Sequence, residues 1–328
     1  MAKVLVTGGK GFLGSHLAAK LAKTEDQVRI FSRQKGTNSS ILRDSNYEFS
    51  WGDIRDSRAV ENAVEGVDYI IHTVSNFRKG GSDKDDAYST NVEGTENILR
   101  AAEKHNVQHI IHCSTIGVHG TVLEIPANED TPFNPTDLYQ ETKLIAEKKV
   151  WEFYQKTKLP ITVIRPISLF GAGDMRMLKL FRLIKQGKFI IVGDGEVLFH
   201  PAYIDDVVQG FLLCLGNERA FGEAFIIGGE GYLTLNELCG LIAEELKVRP
   251  PKLYVPMVPV LALATLCEKI CVPLGIEPPL HRRRVSFFQN NRAFSIDKAK
   301  QILGYQPQFS LEEGIQKTIQ WYQAQGWL

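Results

Sequence analysis

The sequence has no excess of charge of either sign. Lys plus Arg and Asp plus Glu each total 38 among 328 residues. A protein without a large net positive charge has no general electrostatic attraction for nucleic acid or anionic membranes. We therefore expect a small-molecule partner and no nucleic-acid ligand.

Cysteine is also scarce, with five residues in the whole chain. The number is odd, the residues are scattered, and none forms a CxxC pair, which argues against a disulfide framework or a zinc site. We predict reduced thiols and no metal centre. The cysteines are Cys113, Cys214, Cys239, Cys267 and Cys271.

Long hydrophobic runs are missing as well. The most apolar stretch, residues 253–267, has 15 residues and two prolines, Pro256 and Pro259, and is too short to cross a bilayer. It is either a core or lid helix, or a membrane-touching surface near an apolar substrate. The start of the chain resembles a strand rather than a targeting segment, which predicts a cytoplasmic protein.

The first half alternates short apolar runs with helical patterns. Such alternation predicts an α/β fold, a doubly wound parallel sheet of the Rossmann type. We predict a strand at 3–7 and helices at 12–23, 85–105 and 137–154. After residue 170 the pattern loosens and proline becomes more frequent. We predict a dinucleotide-binding domain at 1–170 and 200–229, and a smaller substrate domain at 171–199 and 230–328.

Gly8, Gly11 and Gly14 form a GxxGxxG turn between the first strand and the first helix. A tight turn and close backbone approach to a pyrophosphate both require residues without a β-carbon. The helix start then offers N–H groups to the phosphates. We therefore predict a dinucleotide site that includes Phe12 and Leu13.

The choice of dinucleotide is read at the end of the second strand, where a carboxylate would bind the ribose 2′-hydroxyl. This strand ends in Arg33, which can pair with a 2′-phosphate. NADP is therefore favoured, with NAD as the alternative. Arg33 could instead belong to a solvated basic loop that has no role in cofactor binding. Asp53, followed by Ile54, is a candidate partner for the adenine or, alternatively, a helix cap.

Tyr139 and Lys143 are four residues apart near the start of a predicted helix and so share one face. A nearby cation stabilises a phenolate and makes the phenol a usable acid/base. A second YxxxK copy, Tyr154 to Lys158, lies at the helix end, where its lysine is expected to fall beyond the helix. We therefore select Tyr139.

Ser114 and Thr115 end another predicted strand, at the sheet edge where ligands bind in such folds. Either hydroxyl can donate to a reacting oxygen, or it can simply cap the backbone.

Together these residues resemble the extended short-chain dehydrogenase/reductase family, often labelled NAD-dependent epimerase/dehydratase. The matching stretches are TGGKGFLGSHL, GDIRD, IIHTVS, TNVEGTENIL, CSTIGVHG, YQETKLIAE, RPISLFGAGD, YIDDV and ILGYQPQFSLEEGI.

The resemblance implies that Thr115 is catalytic with Ser114 beside it, and that Tyr139 is the acid/base. It implies that Lys143 holds the nicotinamide ribose, that the turn at Pro166 holds the carboxamide, and that Asn91 is structural or near the cofactor. It also implies a homodimer formed through the two long helices.

Three departures from the family pattern concern the substrate. Ile116 and Gly117 replace the Asp-Glu pair of dehydratases, which disfavours dehydration. Phe199 replaces the arginine that binds a diphosphate in nucleotide-sugar epimerases. His200 and Arg283, within the run 282–284, are possible substitutes, or the run is a solvated patch. Residues 254–279 resemble the corresponding region of sterol and 3β-hydroxysteroid dehydrogenases.

These observations predict NAD(P)-dependent hydride transfer to or from a secondary alcohol or ketone. A nucleotide-sugar epimerase or keto-reductase is the first interpretation. An enzyme for sterols or other apolar alcohols is the alternative. A cofactor-sensing regulator without catalysis is the third.

Overall fold

The computed structural model describes residues 1–35, 41–42, 46–77, 84–274, 276, 278–280 and 282–328, without the side chains of residues 272, 283, 284 and 286. The strands are β1 (Lys3–Thr7), β2 (Gln27–Ser32), β3 (Glu48–Trp51), β4 (Tyr69–His72), β5 (His109–Cys113), β6 (Ile161–Pro166), β7 (Ser168–Phe170), β8 (Ile190–Val192), β9 (Leu198–Phe199), β10 (Pro201–Tyr203), β11 (Ala224–Ile227), β12 (Leu233–Thr234) and β13 (Leu253–Val255). The helices are α1 (Phe12–Leu21), α2 (Ser57–Val64), α3 (Lys84–Tyr88), α4 (Gly94–Lys104), α5 (Leu138–Thr157), α6 (Met175–Lys185), α7 (Ile204–Cys214), α8 (Leu235–Glu245), α9 (Met257–Cys271), α10 (Arg282–Val285), α11 (Asp297–Leu303) and α12 (Leu311–Ala324).

A seven-stranded sheet organises the described part of the chain, in the order β11-β6-β5-β4-β1-β2-β3. All of its neighbouring strands pair in parallel. Central strands such as β6 are buried along their whole length, as expected when helices cover both faces of a parallel sheet. The predicted doubly wound fold is confirmed.

Two apolar clusters fill the space on the two sides of the sheet. One joins alternate strand residues to α1, α6 and α7. The other joins the intervening residues to α2, α4 and α5. Because consecutive strand side chains point to opposite faces, strands such as β1 and β6 contribute to both clusters. The strand ends that carry the predicted site are thereby held from two sides.

The predicted helix at 85–105 is divided by a wide turn. Residues Ser89–Glu93 form a π-helical segment between α3 and α4. The buried Asn91 lies in this segment; its Oδ1 accepts from the Asn76 backbone N–H at 2.6 Å, and its Nδ2 donates to Thr142 Oγ1 at 2.9 Å. A π turn carries one more residue than an α turn and is frequent at functional sites.

Strands β7 to β10 and β12 to β13 lie outside the large sheet and form two-stranded pairs, β7 with β10, β8 with β13 and β9 with β12. Helices α6 and α8 to α12 belong to the same second half of the chain. The exact division into two domains stays a prediction.

The apolar stretch at 253–267 is a short strand, β13, followed by α9. Ala264 alone among the α9 residues with described side chains is buried, so the interpretation as a core helix is wrong. Val258, Leu263, Leu266 and Ile270 are each at least half exposed. No helix in the described residues is long and apolar enough to span a membrane.

Candidate active site

The glycine turn is built where β1 meets α1. Gly8 has a φ of +70°, and the Gly11 backbone N–H donates to the Gly8 carbonyl at 2.8 Å. A β-carbon on Gly14 would lie 2.3 Å from that same carbonyl oxygen. A side chain at Gly14 would therefore push the helix away from the turn. The cradle fits a pyrophosphate, because Gly11 caps α1 without a side chain and leaves the first helical N–H groups facing outward.

The other predicted cofactor residues lie on several elements. Phe12 and Leu13 open α1. Ile54 is buried, and its side chain fills the space beside Gly94, where a β-carbon would lie 2.8 Å away. The side chain of Arg33 is 62% exposed, with Nη1 3.9 Å from Asp53 Oδ2.

Asp53 does not cap a helix. Asp56 is the residue that caps α2, by accepting from the Arg58 and Ala59 backbone N–H groups. Asp53 instead forms an ion pair with Arg55 at 2.7 Å, and this contact lowers the pKa of the Asp53 carboxyl. The alternative role of Asp53 as a cap is therefore wrong.

The carboxyl end of β5 and the first turns of α5 bring Thr115, Tyr139 and Lys143 together. Asp137 caps α5 by accepting from the Gln140 N–H at 2.9 Å, so Tyr139 lies in the first turn. The buried Lys143 donates from Nζ to the Cys113 carbonyl at 2.7 Å. This bond ties the start of α5 to the end of β5.

Tyr139 and Thr115 both line one cavity of about 860 Å³. Thr115 Oγ1 accepts from the Gly117 N–H at 3.1 Å, and its own O–H donates to no residue in the described part of the chain. The edge of the Phe77 ring packs against the Tyr139 ring, with centroids 4.8 Å apart. Burial lowers the pKa of the Lys143 ammonium, while Cys113 and Glu147 oppose that shift. Pro166 lies in the same wall.

Ser114 does not face this cavity. Its hydroxyl donates to Glu147 on α5, and both residues are buried. Arg165, at the end of β6, forms an ion pair with the same carboxylate and donates from Nη1 to His119 Nε2 at 3.2 Å. A buried charge pair of this kind is stable only when its remaining hydrogen bonds are satisfied. The network locks together β5, α5 and β6, the three elements that present Thr115, Tyr139 and Pro166.

His119 takes part in this network as a neutral ring. Its Nδ1 donates to the Thr131 carbonyl at 2.8 Å, which leaves Nε2 as the acceptor for Arg165. Burial, reinforced by the Arg165 charge, lowers the pKa of His119 to about 4.

Of the remaining two substrate candidates, His200 is not among the described residues that line the cavity. His200 is buried, with Nε2 2.9 Å from the Gly229 carbonyl, to which it donates. Burial is the main cause that lowers its pKa. Arg283 belongs to α10, but its side chain lies outside the described residues.

Phe199 lies in the cavity wall beside an apolar surface. Its ring is 4.6 Å from that of Phe287 between centroids, and Leu238 and Leu261 extend the surface. Leu261 comes from α9, so this helix contributes to the cavity wall, and its interpretation as a lid stays a prediction.

Sequence reasoning missed the charged residues that line the cavity apart from the 282–284 run. Arg176 starts α6 and Arg292 follows α10; both line the cavity. The Arg292 guanidinium carbon lies 5.3 Å from the centre of the Phe199 ring. Neither arginine belongs to a local motif. The proximity of Arg292 to Phe199 depends on residues about 90 positions apart and carries no local signal.

Comparison with known proteins gives the class. Residues 4–228 match the NAD dependent epimerase/dehydratase family, and the chain belongs to this family of NAD-dependent oxidoreductases and epimerases. It is 32% identical over 337 residues to the decarboxylating sterol-4-alpha-carboxylate 3-dehydrogenase of Schizosaccharomyces pombe, covering 98% of this chain and 97% of that one.

Two further relatives show the range of the family. A 3 beta-hydroxysteroid dehydrogenase/Delta 5-->4-isomerase of Mycobacterium tuberculosis is 29% identical, with 98% of this chain and 90% of the relative covered. The crystal structure of UDP-glucose 4-epimerase from Thermotoga maritima with UDP-glucose superposes with a TM-score of 0.81 at 25% identity, covering 98% and 99% of the two chains. The chain is thus an enzyme, and the regulator interpretation is set aside.

Proposed function

We propose that this enzyme catalyses reversible hydride transfer between a nicotinamide dinucleotide and a secondary alcohol or ketone on a largely apolar substrate. The observation that carries the substrate class is the cavity wall formed by Phe199, Phe287, Leu238 and Leu261. An apolar wall stabilises an apolar ligand by roughly 25 cal/mol for each Å² removed from water.

The reaction needs a proton acceptor beside the alcohol, and Tyr139 is the residue we assign to it. In the oxidising direction Tyr139 accepts the hydroxyl proton while Thr115 donates its own O–H to the substrate oxygen. The nearby Lys143 ammonium favours the phenolate form. The nicotinamide, when bound, supplies the hydride acceptor or donor. In the reducing direction Tyr139 returns the proton.

Two observations support the apolar substrate over a nucleotide sugar. The residue in the place of the diphosphate-binding arginine, Phe199, packs against Phe287 rather than presenting a donor. The two relatives described above are named for sterol and steroid substrates. A nucleotide sugar remains the competing substrate because of the likeness to UDP-glucose 4-epimerase and because Arg292 lies beside Phe199.

The test measures reduced nicotinamide by absorbance with a 3β-hydroxysteroid and with a medium-chain 3-hydroxy acid. With UDP-glucose it measures the epimerised sugar by chromatography, because epimerisation leaves no net reduced nicotinamide. We expect turnover with at least one of the first two. Phe287→Ala should raise KM for that substrate roughly tenfold, because a buried Phe side chain contributes about 1.5–3 kcal/mol. Phe221→Ala is the matched control, since Phe221 packs on His109 and does not line the cavity. Conversion of UDP-glucose alone would contradict the proposed substrate class.

For the cofactor, we propose a preference for NADP over NAD. Arg33 is exposed at the end of β2 and can meet a 2′-phosphate. Asp53 lies within 3.9 Å of Arg33 and opposes that preference by repelling the phosphate. Running the same assay with both dinucleotides decides the question.

The homodimer is also proposed rather than observed. Helices α4 and α5 pack on each other, and Ile145 on α5 is 37% exposed. The cytoplasmic location and the two-domain division stay predictions.

A further inference from the structure

Arg176 lies where the substrate cavity meets the glycine turn. It is the second residue of α6 and lines the cavity. Its guanidinium carbon is 5.4 Å from the centre of the Phe12 ring and 5.8 Å from that of Phe77. Phe12 opens α1 directly after the glycine turn, and Phe77 packs on Tyr139. Arg176 is therefore close both to the predicted pyrophosphate turn and to the predicted nicotinamide end.

The guanidinium is held in one orientation. Asp174, whose side chain is only 1% exposed, accepts from Nε at 2.9 Å and from Nη2 at 3.2 Å. Nη2 also donates to the Leu169 carbonyl at 2.9 Å. Nη1 donates to nothing in the described part of the chain. Two N–H groups of a fixed, charged group are therefore left for a ligand.

The loop before Arg176 is fastened to α1. The side chain of His16, one turn after Phe12, donates from Nε2 to the Ala172 carbonyl at 2.8 Å. Asp174 is anchored in turn, because the Tyr322 hydroxyl donates to its carbonyl. Direct contacts between this loop and α1 therefore hold Arg176 close to the start of α1, although the two are far apart in the sequence.

We propose that Arg176 binds the pyrophosphate of the dinucleotide from the side opposite the glycine turn. This inference rests on the proposed function, because it requires a dinucleotide at the turn. A pyrophosphate is anionic, and the turn itself supplies backbone N–H groups. A guanidinium adds charge-assisted hydrogen bonds, which are stronger than neutral ones. Asp174 orients Arg176 and also partly neutralises its charge. We therefore expect Arg176 to make a moderate contribution to the affinity for the dinucleotide.

The test measures Kd by calorimetry for three probes: the preferred dinucleotide, ADP-ribose and adenosine. ADP-ribose carries the pyrophosphate without the nicotinamide, and adenosine carries neither. Arg176→Gln should weaken the first two roughly tenfold, in line with the loss of a hydrogen bond to a charged group, and leave adenosine unchanged. Arg182→Gln is the matched control on the same helix, since its side chain donates to the Trp327 carbonyl instead.

The possible failures are separable. If the wild-type protein binds no dinucleotide, the proposed function fails. If it binds the dinucleotide and ADP-ribose, and folded Arg176→Gln binds both equally well, the role of Arg176 is overturned. A rise in substrate KM alone would also overturn it. Should Arg176→Gln fail to fold, Arg176→Lys keeps the charge while losing the paired donors. It is then expected to show a smaller loss for ADP-ribose, and unchanged binding would count against the proposal.

Discussion

The two ends of α5 carry the same motif in different surroundings. Tyr139 and Lys143 occupy the first turns, where Lys143 is buried and bonded to the end of β5. Tyr154 lies in the last turn, and Lys158 follows the end of the helix with a left-handed φ of +60°. The Lys158 ammonium lies 5.8 Å over the Tyr154 ring. The expectation that Lys158 falls beyond the helix is confirmed.

The difference follows from the direction of the helix. In a parallel sheet with crossover helices, a helix begins near the carboxyl ends of the strands and ends near their amino ends. Tyr139 therefore reaches the ligand edge, whereas the Tyr154 ring packs on Trp151 and close to Gly222. The spacing of a motif alone does not define a site, because its position along the helix decides which edge of the sheet it meets.

The largest effect should come from exchanging each tyrosine for phenylalanine. Tyr139→Phe removes the proposed acid/base, and turnover should fall roughly 100- to 10,000-fold. Tyr154→Phe should leave turnover within about twofold of the wild type, as expected for a group remote from the chemistry. Steady-state kinetics with unfolding measurements of both variants tests the comparison. Equal losses in the two variants would remove the distinction between the helix ends.

A smaller but more informative effect is expected from the lysines. Lys143→Met removes the cation that favours the phenolate, so turnover should fall roughly tenfold to a hundredfold, and the acid limb of its pH profile, where Tyr139 must lose its proton, should move to higher pH. Lys158→Met should change neither quantity. The measurement is the pH profile of turnover in the oxidising direction. A lowered rate with an unmoved profile would mean that Lys143 acts only through structure.

The smallest effect concerns the histidine buried close to Lys143. His112 has no hydrogen-bond partner on either ring nitrogen among the described residues, and burial, then Lys143, lowers its pKa well below the usual value. The unfolded chain takes up this proton near pH 6.5 while the folded one does not, so stability is lost as the pH falls below that value.

His112→Phe should abolish that part of the loss. Between pH 6.5 and pH 5 the free energy of unfolding should fall by about 2 kcal/mol less than in the wild type. Chemical denaturation at both pH values measures it, with pH 8 as the control, where histidine is neutral in both states. Identical pH dependence in variant and wild type would show that His112 is protonated in the folded protein.

The sequence was enough to predict the sheet and the glycine turn because their signals are local. Alternating apolar runs define β1 to β6, and Gly8 to Gly14 occupy one turn. Tyr139 was selected over Tyr154 for a similarly local reason. Leu159 and Pro160 directly follow the second copy and indicate that the helix ends there.

The parts that escaped prediction depend on distant contacts. Ser114 seemed suited to a substrate because it neighbours Thr115, yet consecutive residues at a strand end point to opposite sides, and Ser114 meets Glu147 instead. The partnership of Arg165 with His119 joins residues 46 positions apart. Arg176 belongs to no motif, and only the contact of its loop with α1 shows what lies beside it.

The length of the wide turn at Ser89–Glu93 determines the direction in which the Asn91 side chain points. Asn91 connects the Asn76 backbone to Thr142, the neighbour of Lys143, and the turn sets the rotation at which its side chain arrives. Each residue of an α-helix advances the rotation by about 100°. A change of one residue in the length of this segment would turn Asn91 away from both partners. The number of residues here is therefore as much a part of the site as their identity.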